Sequence, residues 1–183
     1  MLRLCSTSPI RSAILKEHNI PFIQCENNFD EEKLDINAPI SFVYQATLGK
    51  HKESLKQYGL EIPLLVVDSI VVCQNKLLRK AKNKQEAKEM LLMQSGNALK
   101  VLTCMILHSQ ESYILDLGET CYILDSFHTK DLESYLNSNL WENKAGAVMV
   151  EGFHQRYIKK QIGSTHNAMG LNLKVLKAFM GYN

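Results

Sequence analysis

Between Leu64 and Cys73 the chain reads Leu-Leu-Val-Val-Asp-Ser-Ile-Val-Val-Cys, an almost unbroken apolar, β-branched run bounded by Pro63 and a Gln74-Asn75 turn. Such a run has no polar face to offer to water, so it predicts a central strand covered on both sides, and with it an α/β fold. Asp68 interrupts it. An ionised carboxylate in the middle of a buried strand must be paired, hydrogen-bonded or metal-bound, because desolvating it alone costs several kcal/mol or forces its protonation. A carboxylate that only ties down a neighbouring loop meets that demand as well as a functional one does. Lys80 favours the functional reading: it lies beyond the hairpin turn and can return alongside Asp68, putting a cation where an anionic substrate would meet the carboxylate.

A chain of 183 residues suits one compact unit, residues 1–183, that can bury a real core and be bilobal. Lys and Arg number 21 against 19 Asp and Glu, and the resulting net charge of +2 gives no bulk electrostatic case for a nucleic-acid or membrane partner. Any anion site has to be local. The five cysteines, at 5, 25, 73, 104 and 121, are odd in number, lack Cys-x-x-Cys spacing and fall mostly in apolar strand-like runs. That pattern predicts reduced, buried thiols in a cytoplasmic protein. No apolar stretch reaches the length of a membrane span, and the first residues lead into a strand without a signal-peptide profile.

Taken in order, Met1–Cys5 predicts a strand, and Ser8 an N-cap with Pro9 at the first helical position of a helix reaching His18. A helix N-terminus after a strand points free N–H groups at one spot, which suits phosphate oxygens, and Arg11 adds a charged fork. Ile20–Gln24 predicts a second strand, followed by the acidic loop Asn27–Glu32. Ser41–Tyr58 predicts a helix weakened at Gly49 with Lys50, His51, Lys52 and Lys56 on its outer side. Asn83-Lys84-Gln85-Glu86 is a capping box that opens a helix through Leu92, closed by Ser95-Gly96. Lys100–His108, Ser112–Leu117 and Thr120–Asp125 predict a meander, with turns at Gln110-Glu111 and Gly118-Glu119. Thr129 caps a helix through Leu136, Val148–Val150 and Tyr157–Ile162 predict short strands, and Asn172 caps a last helix through Met180.

The six histidines show no His-Glu-x-x-His spacing, and there is no Gly-x-Ser-x-Gly, Walker P-loop or dinucleotide glycine motif. What remains is one buried Asp, one acidic loop and Lys, Arg and Ser groups at strand ends. That set suits a polyphosphate and a hard cation.

Read together, these pieces resemble the Maf family of nucleoside triphosphate pyrophosphatases over essentially the whole chain. Ser6-Thr7-Ser8-Pro9-Ile10-Arg11 is similar to the family's Ser-x-Ser-Pro-x-Arg signature, Asp30-Glu31 to its Asp-Glu loop and Val67-Asp68-Ser69 to its Ala-Asp-Thr. Lys80 falls on the lysine of its Gly-Lys-Pro, Ser95-Gly96 on its Ser-Gly and Thr103 on its strand threonine. Lys144-Ala145-Gly146, Gly163-Ser164 and Gly170-Leu171 match its late motifs. For the family's helical lysine Lys50 and Lys52 compete, and spacing back from Asp68 favours Lys50.

The resemblance implies an elongated α/β fold, a mixed sheet flanked by helices with two lobes and a central cleft, as a homodimer. It implies hydrolysis of a nucleoside triphosphate to monophosphate and pyrophosphate with Mg²⁺ or Mn²⁺. Asp68 and Lys80 then take the catalytic roles, Glu31 and Asp68 hold the cation, and Ser6, Ser8, Arg11 and Lys50 bind phosphates. Glu151-Gly152, where many members carry Gln, leans toward a branch associated with 7-methyl-GTP, and a buried Glu151 carboxylate would accept from two donors on a guanine edge. Ile10, Arg79, Ala81 and Cys104 depart from the family pattern. Those at Ile10, Arg79 and Ala81 support a second expectation, a weakly catalytic nucleotide-binding regulator of cell division.

Overall fold

The computed structural model describes residues 1–181, apart from the side chain of residue 32. Strand β1 (Leu2–Cys5), helix α1 (Pro9–Glu17), strand β2 (Phe22–Cys25) and helix α2 (Pro39–Tyr58) lead to strand β3 (Leu64–Cys73). After β3 come β4 (Lys76–Leu78), α3 (Lys84–Gln94), β5 (Ala98–His108), β6 (Tyr113–Leu124), α4 (Thr129–Ser138), β7 (Ile158–Ile162), α5 (Thr165–Ala168) and α6 (Leu173–Met180). The strands form one mixed sheet in the order β2-β1-β3-β5-β6-β7, with β4 paired to β3. β1 runs parallel to β2 and β3, while the β3–β4 and β6–β7 pairs are antiparallel. The fold is the mixed α/β sheet with flanking helices that the sequence predicts.

The chain divides into two compact units, one made of residues 1–69, 103–118 and the chain from Ser164 onward, the other of residues 70–102 and 119–163. In the first unit β3 is covered on both faces, and its pleat sorts its side chains. Leu65 and Val67 join a core with Leu2, Leu4, Ile14, Leu15, Met105, Leu171 and Leu176. Leu64 and Val66 face the other way, against Cys5 and the end of α2 at Leu55 and Tyr58. In the second unit the Gln74-Asn75 turn has φ of 49° and 61°, which is the backbone of a tight hairpin. The Asn83 side chain accepts from the Glu86 N–H at 2.9 Å, the Glu86 carboxylate accepts from the Lys82 N–H at 2.8 Å, and α3 starts there. Ala87 and Leu91 of α3 pack on Leu132, Tyr135 and Leu136 of α4 and on Trp141.

Several expectations are corrected. α2 is unbroken at Gly49, where an added Cβ would lie 2.1 Å from the Phe29 ring, so the glycine admits a side chain rather than weakening the helix. The Gly118-Glu119 turn is absent and β6 runs through it: a Cβ on Gly118 would meet the Asn167 side chain at 2.3 Å. Residues 148–150 form no strand: 148 and 149 are irregular and a turn begins at 150, with Ala147 at φ 57° just before them. Thr129 is the first helical residue rather than the cap, which is His128.

Candidate functional site

Alternation along β3 places two consecutive polar residues on opposite faces. Asp68 shares the face of Leu64 and Val66, toward α2, while Ser69 shares that of Leu65 and Val67, toward α1. On the α2 side Lys50 donates to Asp68 Oδ1 at 2.6 Å and also to Glu31 Oε2. Asp68 is 5% exposed, and the Lys50 side chain is largely buried as well. Burial pushes the Asp68 carboxyl above the usual carboxylate range, with the Lys50 ammonium pulling against it and the Glu31 charge adding to it.

Glu31 reaches this cluster because its loop is fastened to α2. Asn27 donates to the Lys50 carbonyl and to Ser54 Oγ, each at 2.7 Å, and its Oδ1 accepts from the Phe29 N–H. The Phe29 ring then rests on Gly49. Val43, Thr47, Lys50 and Ser54 form one inward stripe of α2 that turns from apolar to polar along the helix, with Phe42, Ala46 and His51 buried beside it. This reverses the outward placement expected for Lys50 and His51. His51 is buried and its Nε2 lies 2.8 Å from His108 Nδ1, whereas Lys52 and Lys56 are exposed.

On the α1 side the Ser8 N-cap accepts from the Arg11 N–H at 3.5 Å, and Pro9 opens the helix. The Arg11 fork is already engaged: Nε donates to the Gly170 carbonyl at 2.8 Å, one Nη to Ser6 Oγ at 2.9 Å and the other to Ser69 Oγ at 3.2 Å. Ser69 Oγ and Thr103 Oγ1 are 2.9 Å apart, and Thr103 donates to the Asn167 carbonyl at 2.8 Å. With that proton spent, Ser69 must donate to Thr103, so the bonds run in one direction from Arg11 to the Asn167 carbonyl. Burial lowers the Arg11 pKa, and the nearby Asp68 and Glu31 charges oppose that shift. Gly170, at φ +95°, lets the backbone pass where a Cβ would stand 3.3 Å from Ser69 Oγ and 3.4 Å from Arg11 Nε.

The remaining expected residues lie in the second unit. Lys80 is exposed and makes an isolated antiparallel bridge to Ala145, while within the first unit the ammonium that meets the Asp68 carboxylate is that of Lys50. Glu151 departs from its expected burial: its side chain is 34% exposed, with Lys144 Nζ 4.0 Å from Oε1. The turns that carry it are anchored by His154, which is 0% exposed. Its Nδ1 accepts from the Met149 N–H at 3.1 Å, which leaves Nε2–H to donate to Gln94 Oε1 at 2.8 Å. Gln94 in turn donates to the Gly146 carbonyl at 2.6 Å. Sequence reasoning missed Gln94 and His154, since neither lies in a recognisable motif.

Burial pushes the His154 pKa down to about 4. An imidazole that titrates near 6.5 in the unfolded chain binds its proton there first, so stability present above about pH 6.5 is lost as the pH falls toward 4. The loss is at most about 3 kcal/mol. His154→Gln should flatten this part of the stability-against-pH curve, measured by denaturant unfolding from pH 7.5 to 4. An unchanged slope would mean that His154 does not carry it.

Residues 1–181 match the family model described as Maf-like protein. A nucleoside triphosphate pyrophosphatase of a Nitratiruptor species is 44% identical over 178 residues, 96% of both chains. A protein of the same name from Helicobacter pylori is 42% identical over 175 residues, 96% of this chain and 92% of that one. Another, from Campylobacter jejuni subsp. doylei, is 38% identical over 184 residues, covering 98% of this chain and 100% of its own. A solved structure of a Vibrio cholerae protein covers 82% of this chain and 73% of its own at 14% identity, and with a TM-score of 0.36 it is too loose to bear on fold or function.

Proposed function

This chain belongs to the Maf-like protein family, and from that premise we propose that it is a nucleoside triphosphate pyrophosphatase, releasing nucleoside monophosphate and pyrophosphate. The observation that carries the reading is the convergence of the Asp68 and Glu31 carboxylates on one ammonium, that of Lys50, with Arg11 near enough to feel both charges. Two carboxylates that border one cationic position are the donor set a Mg²⁺ or Mn²⁺ ion takes when substrate phosphates and water supply its other ligands. Among the described residues no group of three or more His, Cys, Asp or Glu gathers as an all-protein cage. When bound, such an ion supplies charge neutralisation at the phosphates.

The chain's own residues do the rest. Asp68 accepts a hydrogen bond from the water that attacks the α-phosphorus, and orients or deprotonates it. Its raised pKa keeps it closer to the range of a useful base. Lys50 holds the carboxylates together before substrate arrives and turns to the phosphates afterwards. Arg11, fixed by Ser6, Ser69 and Gly170, and the N–H groups near Ser6 and Ser8 bind phosphate oxygens. Lys80 and Glu151 keep the roles the resemblance gives them, a catalytic clamp on the phosphates and contact with the base. The reading extends to a cytoplasmic homodimer whose single domain spans the chain and needs neither nucleic acid nor membrane. Five free thiols support the cytoplasmic part of it and a net charge of +2 the part without nucleic acid; among the described residues no helix is long and apolar enough to cross a membrane.

A panel of standard and modified triphosphates with Mg²⁺, followed by pyrophosphate release, tests the activity. Binding without turnover would favour the alternative, a regulator of cell division. The departures from the family pattern argue little for it, since Ile10 and Ala81 each pack against the core of their own unit.

Base choice is the finer part of the proposal. An ionised Glu151 gains two charge-assisted hydrogen bonds from a guanine edge and is repelled by the carbonyl of a uracil or thymine. Because Glu151 is partly exposed, solvent screens this difference, and the expected change is about tenfold rather than several orders of magnitude. Glu151→Gln should lower the ratio of kcat/KM for 7-methyl-GTP over UTP by that factor. A wild type that prefers UTP, or an unchanged ratio, removes Glu151 from base recognition.

A further inference from the structure

Two histidine pairs lie in the first unit, and their geometries differ. His51 Nε2 and His108 Nδ1 are 2.8 Å apart, the separation of an ordinary N–H···N hydrogen bond. His18 and His166 instead turn their outer nitrogens toward each other, Nε2 to Nε2, at 3.4 Å, with ring planes 74° apart and centroids 5.2 Å apart. That is long for a hydrogen bond between rings. It equals the bite of two imidazoles on one tetrahedral ion, since metal–nitrogen bonds of about 2.05 Å at the tetrahedral angle put the nitrogens about 3.3–3.4 Å apart. Both residues are partly exposed, so an ion and its waters can reach them.

The two rings also sit on segments that are already fastened together. His18 is the C-cap of α1, and His166 lies in α5 beside Asn167. At its start α1 is tied to the same segment through Arg11 Nε and the Gly170 carbonyl, and the Asn167 carbonyl accepts from Thr103. The Leu171 N–H closes the segment onto the His166 carbonyl at 2.9 Å. The backbone therefore presets the two imidazoles.

We propose that His18 and His166 form a binding site for a borderline transition-metal cation, Cu²⁺, Zn²⁺ or Ni²⁺, which links the end of α1 to the 165–171 segment. Water completes the coordination. Imidazole nitrogens select these ions over Mg²⁺, which prefers oxygen donors, so the site is chemically separate from the carboxylate pair and independent of the proposed hydrolysis.

The test is titration calorimetry of the full chain with CuCl₂, ZnCl₂ and MgCl₂, on wild type and on His18→Ala, His166→Ala and His51→Ala. The expected result is one Cu²⁺ or Zn²⁺ per chain, Cu²⁺ the tighter, with no competition from Mg²⁺. His18→Ala and His166→Ala should each weaken binding about a hundredfold, and His51→Ala should leave it unchanged. Bound metal should raise the wild-type Tm and not that of the His18 and His166 variants, while these three proteins melt alike in chelator, which separates loss of a ligand from loss of the fold. His166→Gln serves where His166→Ala fails to fold. No stoichiometric binding, or binding undiminished in His18→Ala or in His166→Ala, would overturn the proposal.

Discussion

Asp68→Asn should lower triphosphate hydrolysis by a factor of about a hundred or more and leave the fold intact. The amide is nearly isosteric with the carboxylate and can still accept from Lys50 at the 2.6 Å the carboxylate does now, but it cannot take a proton from water or carry charge to a cation. The stability effect has the opposite tendency. Because burial raises the Asp68 pKa, the native state favours its protonated form, and that contribution is present below the unfolded value and lost as the pH rises through the folded one. An amide never ionises and escapes that loss. The variant should therefore melt at or above the wild-type temperature at pH 8, with the difference shrinking as the pH is lowered toward 4. Near-normal activity in a well-folded Asp68→Asn protein would remove Asp68 from the mechanism.

Lys50→Met should cost both stability and activity, because it strands two carboxylates that now share one ammonium. Removing one partner of a buried pair typically costs about 3–5 kcal/mol, most of it the penalty of the charge left behind. Adding Asp68→Asn to Lys50→Met takes that stranded charge away and should recover the larger part of the loss. Denaturant unfolding of the two single variants and the double variant gives the coupling directly. Additive effects would mean that the Lys50–Asp68 contact contributes little. Triphosphate affinity should fall with Lys50→Met in any background, since the same ammonium is proposed to turn to the phosphates.

What the sequence made legible was local. The apolar run fixed β3 at Leu64–Cys73, Ser8-Pro9 marked the start of α1, and Asn83 with Glu86 marked that of α3, because each signal lies within a few residues of its own backbone. Gly49 and Gly118 misled for the converse reason. Each answers to a side chain distant in sequence, Phe29 and Asn167, and in one chain such a glycine looks like a break or a turn. The ammonium that pairs with Asp68 was hidden in the same way, since the inward stripe of α2 carries Thr47, Lys50 and Ser54 where amphipathicity leads one to expect apolar residues. Ser6, Ser8, Arg11, Glu31, Lys50 and Asp68 were all named from the sequence. Ser69 as the acceptor for Arg11, and Thr103 behind it, required the pleat of β3 and a third segment of chain.

The most direct test of water attack at the α-phosphorus is a single-turnover hydrolysis in oxygen-18 water, with mass spectrometry of both products. The account predicts one labelled oxygen in the nucleoside monophosphate, none in the pyrophosphate, and no orthophosphate as a primary product. Label in the pyrophosphate, or labelled orthophosphate released beside a nucleoside diphosphate, would contradict it.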